Sequence, residues 1–591
     1  MTIEQVRNDI QNLSALCDKR VGKYLRNLSR YSNGGMRRES LYSLDGIVAG
    51  YYGGLQGEQD TGIAPTINIC KSIVDTKTSK LSQSKVRPYF NPVNGTYKTR
   101  KVCRNSQTYF DLFFTFAKLN KKMRQVITDA LVFEVGYLHV NAETKSIDRV
   151  EPWDVYYDPA EYHYGKVTHG FIKQRSYPLS YLRDKISKGK HKSDKLLALL
   201  TENPTFRVAE YITHYDLQDK VRREFVNNEL IAETKLDSDR WPLVSFWAYP
   251  PLKGATSNSS IDNVYSLQLQ VDTLSIRVHE ALELSPANMI VVPTGSGIKP
   301  SSVTNRIGAI YEAKPTPTGT MPVSVVTSPA IDPQYISMLD YYENKAYNME
   351  GISQLSAQSK KPSGLNSGVA LDTLEDVESE RHEVNVQDVI QTYMDIAEIM
   401  IDVFPPEENI LPGNVKRPNI KWKEIQEQRD QFCVQFSASS SLSKDPKTKM
   451  EQIEKLIAMK VIDQSLVSML LEMPDLEDAY GIGTASYDAC QAVIERAVET
   501  GDTDFYEIIN IDQLFAEVSN TLLRLDANDE SPKVLGNLVS LLSAVKLKKD
   551  SINAVQPPAP AQDVMVPQGA VGAPIPGPGE MVAPPGAAPL Q

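Results

Sequence analysis

Apolar residues recur at spacings of three and four over residues 3–31, through Val6, Ile10, Leu13, Cys17, Val21, Tyr24 and Leu28. That pattern predicts one long helix or two short ones before Asn33-Gly34-Gly35 breaks the chain. A further helix is predicted over 67–81, around Ile69, Ile73 and Val74, and it leads into a proline-bounded extended stretch at 86–92. Residues 100–133 read as two consecutive helices rich in Phe and Leu, and the period then changes to two at 132–140. Between 136 and 250, alternating runs at 137–140, 170–175, 208–215, 221–230 and 243–249 predict strands joined by hairpins, with turns at 141–145 and 226–229.

Helical spacing returns at 261–284, where Val264, Leu267, Val271, Leu274, Val278 and Ala281 stand at intervals of 3-4-3-4-3. So narrow a seam belongs to a helix packed against one or two neighbours. Residues 286–332 are short extended runs broken by prolines, a small β-containing insertion. A second helix is predicted at 333–355, with Pro333 in its first turn and Ile336, Leu339, Tyr342, Ala346 and Met349 along one side. The polar stretch 356–368 has no period and reads as a mobile loop. Residues 369–404 form the longest helical stretch, ended by Pro405-Pro406. Its first half sets Asp372, Glu375, Asp376, Glu378, Glu380 and Glu383 against Arg381 alone. Extended segments at 419–425 and 431–437 precede helices at 446–471, 486–500 and 511–547. From Gln556 the chain is almost all Pro, Ala, Gly, Val and Gln, which predicts a disordered tail or tether.

Composition narrows the class. The 591 residues suggest about three to five domains, and 41% hydrophobic with 23% charged residues fits a soluble globular protein. Sixty-three Lys and Arg against 74 Asp and Glu give a net charge of −11, which excludes a polybasic coat gripping nucleic acid. The charge is uneven: residues 1–130 carry +11 and the remainder −22. Basic clusters at Lys19-Arg20-Val21-Gly22-Lys23, Arg37-Arg38, Lys98–Lys101 and Lys121-Lys122, interleaved with Tyr24, Tyr31, Tyr97 and Tyr109, suit phosphate contacts. They suit equally a solvated helix face or a surface that meets an acidic neighbouring subunit. Five scattered cysteines without a CxxC pair read as reduced, mostly buried thiols. The N-terminus lacks the apolar core of a signal peptide, and no window approaches the roughly 18–20 apolar residues of a membrane span.

Catalytic signatures are missing. There is no GxxxxGK[ST], and Gly295-Ser296-Gly297-Ile298-Lys299-Pro300 fails on spacing and on its proline. Tyr480-Gly481-Ile482-Gly483 lacks a preceding strand. The seven histidines include no HxH or HExxH pair and read as core or surface residues. No GxSxG elbow occurs. Like charges on the acidic helix repel by a few tenths of a kcal/mol per pair, so that face is either solvated or a functional acidic surface. Neither enzyme activity nor a cofactor or metal is expected.

The order of parts carries the information. A basic α region, a β-rich domain, a long helix, a small β-containing insertion, a second long helix, a polar loop, a long acidic helix, a helical domain and a loose tail resemble the portal protein (head-to-tail connector) of tailed bacteriophages. Locally, Asn68–Leu81 is similar to the early portal helix. Leu131–Val140, with its glycine turn into a strand, and Val150-Glu151-Pro152-Trp153-Asp154-Val155-Tyr156-Tyr157-Asp158-Pro159 look like portal wing segments. Gly351–Leu371 looks like the tunnel loop running into its helix.

The resemblance covers about residues 5–545 and implies an α+β portal-like subunit. Residues 1–260 are then the N-terminal part of the wing, 261–285 and 333–355 the stem helices, and 286–332 an α/β clip between them. Residues 356–368 are the tunnel loop, 369–440 a long kinked helix and the return through the wing, 441–548 a helical crown and 549–591 the tail. It further implies a ring, usually a dodecamer, at one capsid vertex of a virion assembled in the host cytoplasm. Such a ring is the channel for packaging and ejecting double-stranded DNA. Its partners are terminase, which hydrolyses the ATP, head–tail adaptor or tail proteins, and major capsid and scaffold proteins. On this reading Lys360, Lys361, Ser363 and Asn366 touch DNA from the tunnel loop, Asp372, Glu375, Asp376 and Glu378 line the channel, and Val271, Leu274, Val278, Leu339 and Ala346 pack the stem against neighbouring subunits. The alternative is another capsid-associated connector, adaptor or tail structural protein.

Overall fold

Thr2 starts the first helix: its hydroxyl accepts from the Gln5 amide while the Gln5 side chain reaches back to the Thr2 amide, a complete capping box. The computed structural model describes residues 2–32, 67–83, 88–93, 97–188, 208–284, 289–291, 324–326, 333–353, 356, 368–407, 410–411, 421–436, 454–455, 457–459, 489–506, 509–527 and 531–555. The chain divides into two compact units, Met1–Asp478 and Ala479–Gln591; taken whole it mixes helices and small sheets, as an α+β protein does, and every described strand belongs to the first unit.

In the first unit, helix α1 (Ile3–Tyr31) runs unbroken, and Val6, Ile10, Leu13, Cys17, Val21 and Tyr24 are all buried as their spacing predicts. Helices α2 (Ile69–Leu81), α3 (Tyr97–Phe116) and α4 (Leu119–Phe133) follow, with strand β1 (Pro88–Pro92) between α2 and α3. A three-stranded antiparallel sheet has the order β3-β2-β9, from Ser146–Val150, Val135–Asn141 and Leu243–Trp247. A five-stranded antiparallel sheet joins β4 (Val155–Tyr157), β5 (His169–Pro178), β6 (Val208–Asp216), β7 (Val221–Val226) and β8 (Glu229–Lys235) in sequence order. Alternation sorts its faces: Tyr156, Phe171, Ile212 and Phe225 meet α1, whereas Tyr157, Ile172 and Tyr215 meet Val135 and Tyr137 of the smaller sheet. The β7–β8 turn is where the pattern put it, with Asn227 and Asn228 both at positive φ, as a two-residue hairpin turn requires.

Helix α7 (Ser260–Leu284) is followed by a short antiparallel pair, β10 (Met289–Val291) with β11 (Ser324–Val326), and then by helix α8 (Pro333–Glu350). The 36-residue helix α9 (Gly368–Val403) ends just before Pro405-Pro406, and strand β12 (Phe432–Phe436) returns to pair with β1. Four expectations change. Helices α5 (Pro159–His163) and α6 (Leu179–Lys188) stand in the region read as strands, and α6 buries Leu182 and Ile186 on Tyr211 and Val226. Residues 419–425, read as extended, include helix α10 (Trp422–Glu427), because Trp422 and Ile425 lie one turn apart and Trp422 fills an aromatic core with Tyr109, Phe110 and Phe404. Helix α8 stops at Glu350 rather than Leu355, since Gly351 takes φ +71° and the Ile352 amide bonds the Tyr347 carbonyl. The turn from α4 into β2 is made by Glu134, at φ +94°, and not by Gly136.

The second unit contains α11 (489–500), α12 (Ile511–Asp526) and α13 (Pro532–Val555). The helix expected over 511–547 is therefore two, the first ending at Asp526 and the second starting at Pro532. Lys549 near the end of α13 pairs with Asp512 at the start of α12 at 2.8 Å, so the two are antiparallel. The tail expected from 549 starts no earlier than 556, where the described residues end. Most of 446–471 and 286–332 lies outside the described residues.

Candidate assembly interface

The α7–α8 hairpin is antiparallel. Glu350, the last residue of α8, accepts from Asn263 in the first turn of α7 at 3.0 Å. Val264, Val271 and Ala346 are fully buried, and Leu267, Leu339 and Tyr342 pack against the same core. The seam expected to meet neighbouring subunits is thus covered within one chain at Val271 and Ala346. Leu274, Val278 and Leu339 are half-buried.

A second apolar stripe on α8 is uncovered. Met338, Tyr341 and Met349 are 45%, 56% and 49% exposed and lie along one flank, with exposed Lys345 between the last two. Tyr335 and Ile336 near the start of α8 and Leu282 near the end of α7 are also exposed. Sequence spacing had grouped Met349 and Ile336 with the packed side of the helix. Their exposure follows from which flanks of α8 face α7 and α2, which spacing does not contain.

The root of the hairpin is a buried polar knot. Lys77 of α2 reaches Glu350 at 2.6 Å, the Tyr249 hydroxyl at 3.1 Å and the Ser260 hydroxyl of α7 at 3.4 Å. Tyr249 also donates to Glu350 at 2.7 Å. Burial would raise the Glu350 carboxyl, but the adjacent Lys77 ammonium and the two further donors, Tyr249 and Asn263, hold it below the usual carboxylate range. Burial would likewise lower Lys77, and Glu350 holds it above the usual lysine value. Beside the knot, Arg381 of α9 lies against Gly351: a Cβ there would stand 3.1 Å from the guanidinium.

A related knot joins α1 to the start of α7. Glu134 is buried and accepts from Lys23 and Tyr24, both at 2.8 Å, and from the Ser257 amide at 3.0 Å. Lys23 also pairs with Asp262 at 3.0 Å. Several basic residues read as phosphate contacts are thereby turned inward. Arg20 is buried and donates to the carbonyls of Val155 and Ala255, and Lys122 pairs with Asp148 at 3.2 Å. The physical reason is the spacing itself: Arg20 and Lys23 fall on the same helical face as Cys17 and Tyr24, the face α1 buries.

Lys360, Lys361, Ser363 and Asn366 lie outside the described residues, as do the side chains of Asp372, Glu375, Asp376 and Glu378, whose backbone is the first part of α9. A cleft of about 900 Å³ lies near Tyr162, Lys166, Lys220, Asp237 and Trp241. Arg240 on its rim is tied to Asp402 and Glu398 of α9. The five cysteines are free thiols, four of them buried. Among the described residues no group of His, Cys, Asp and Glu is placed to hold a metal ion, and no helix is long and apolar enough to cross a membrane. The chain matches no protein-family model and no curated protein.

Proposed function

We propose that this chain is a portal-like subunit that assembles, by head-to-tail contacts, into a ring around a channel for double-stranded DNA. One observation carries the reading. An antiparallel pair of helices, α7 and α8, has a small two-stranded sheet inserted at its far end, and a 36-residue helix then brings the chain back to pair β12 with β1. That is the order wing, stem, clip, stem, long helix, wing that the resemblance implies. The uncovered stripe on α8 supports it, because a flank of Met and Tyr on a helix already packed on its other side is suited to a second copy.

In this reading α7 and α8 form the channel wall and the β10–β11 pair belongs to the clip, which meets terminase and later adaptor or tail proteins. The loop at 356–368 and the acidic start of α9 face the lumen, where like charge keeps DNA from sticking. The chain then needs no nucleotide site of its own, in keeping with the missing Walker motif. Electron microscopy of the purified full-length chain tests the proposal. Rings with a central opening wide enough for duplex DNA are expected, and monomers at micromolar concentration overturn it.

A further inference from the structure

Val264, Leu267, Val271, Leu339, Tyr342 and Ala346 give the α7–α8 pair an apolar core, and apolar contacts between helices tolerate a slide of one turn, about 5.4 Å, better than polar ones do. At one end, however, sits the knot of Lys77, Glu350, Tyr249, Ser260 and Asn263. Its ionic members are almost wholly withdrawn from water: the Lys77 side chain is 4% exposed and that of Glu350 1%. A pair so buried contributes little net stability but penalises any arrangement that leaves one charge alone.

We infer that the Lys77–Glu350 pair is a register pin, which selects one longitudinal setting of α8 against α7 and α2. The neighbours of Glu350 along α8 make the pin selective. One turn back stand Ala346 and Tyr347, and on the other side the helix ends at once, at Gly351, so a slipped helix offers Lys77 no carboxylate. The nearest replacement is Glu343, two turns away. Asn263 and Tyr249 sharpen the choice, because each bonds the same carboxylate, at 3.0 and 2.7 Å. The pin in turn fixes the height at which Met338, Tyr341 and Met349 are presented. It holds whatever the chain assembles into, and ring formation is scored separately by imaging.

The test places spin labels at two exposed positions, Ser266→Cys on α7 and Asp340→Cys on α8, in the full-length chain with Cys433→Ser and diluted with unlabelled protein. Pulsed dipolar spectroscopy should give one narrow distance. In the isosteric Glu350→Gln variant, and in Lys77→Met/Glu350→Leu, a second distance displaced by about one turn is expected. The charge swap Lys77→Glu/Glu350→Lys should restore the single distance. A folded Glu350→Gln or double variant that keeps the single wild-type distance overturns the inference.

Discussion

Gly136 shows how much one methyl group can matter. A Cβ at this position would stand 2.2 Å from the Val126 carbonyl oxygen and 2.8 Å from its Cγ1, so helix α4 and strand β2 must part to admit it. Gly136→Ala should cost about 2–4 kcal/mol, read as a lower midpoint in urea denaturation. A glycine at the helix-to-strand turn was legible in the sequence, but its reason was not. The left-handed residue is Glu134, and what holds it there comes from Lys23 and Tyr24, more than a hundred residues upstream. His139 read from the sequence as either a core or a surface histidine, and the structure buries it. Its Nε2 meets the Tyr215 hydroxyl at 2.9 Å, and burial, with Arg222 nearby, lowers its pKa from 6.5 to about 4. The unfolded chain therefore takes up the proton first as pH falls. Stability should drop between about pH 7 and 4 and level off below, by about 3 kcal/mol in all. Thermal melts of His139→Gln should show a flatter dependence over that range.

Elements with a long, uninterrupted period were readable: α1, α7 and α9 lie within one or two residues of their predicted bounds. Shorter ones were not, because two turns of helix and four residues of strand carry too few apolar positions to separate periods of 3.6 and 2. Helix α10 is the clear case, with only Trp422 and Ile425 to reveal it. The candidate interface was legible as two helices flanking an insertion. Which flank stays open was not, because α2 covers part of the hairpin from a segment two hundred residues away. That open flank makes its own prediction. Replacing Met338, Tyr341 and Met349 together with Ser removes side chains that are about half in water, so the fold should lose about 1–3 kcal/mol and stay folded. Light scattering should nevertheless report loss of the assembled species if the stripe meets a second copy. Rings that persist in this variant would place the contact elsewhere.

At the scale of the molecule, length suggested three to five domains, whereas the chain gathers into two compact units. The discrepancy has a topological cause. Strands β1 and β12 pair across more than three hundred residues, and Lys77 bonds Glu350 across 273, so segments that look separable along the sequence share one core. The second unit is different. Among its described residues Val493, Ile494, Ala497, Leu514, Val518, Leu525, Leu538, Leu541 and Val545 are buried, and Asn510 caps α12 through the amides of Asp512 and Gln513. A helical core of this size supplies only about 3–5 kcal/mol, far less cover than the first unit enjoys. Calorimetry of the full chain should therefore resolve two transitions, the lower one belonging to 479–555. Leu541 is fully buried, and Leu541→Ala removes about 2–5 kcal/mol, most of what that unit has. The lower transition should move below 37 °C or vanish while the upper one stays in place. A single transition that shifts as a whole would mean that the two units unfold together.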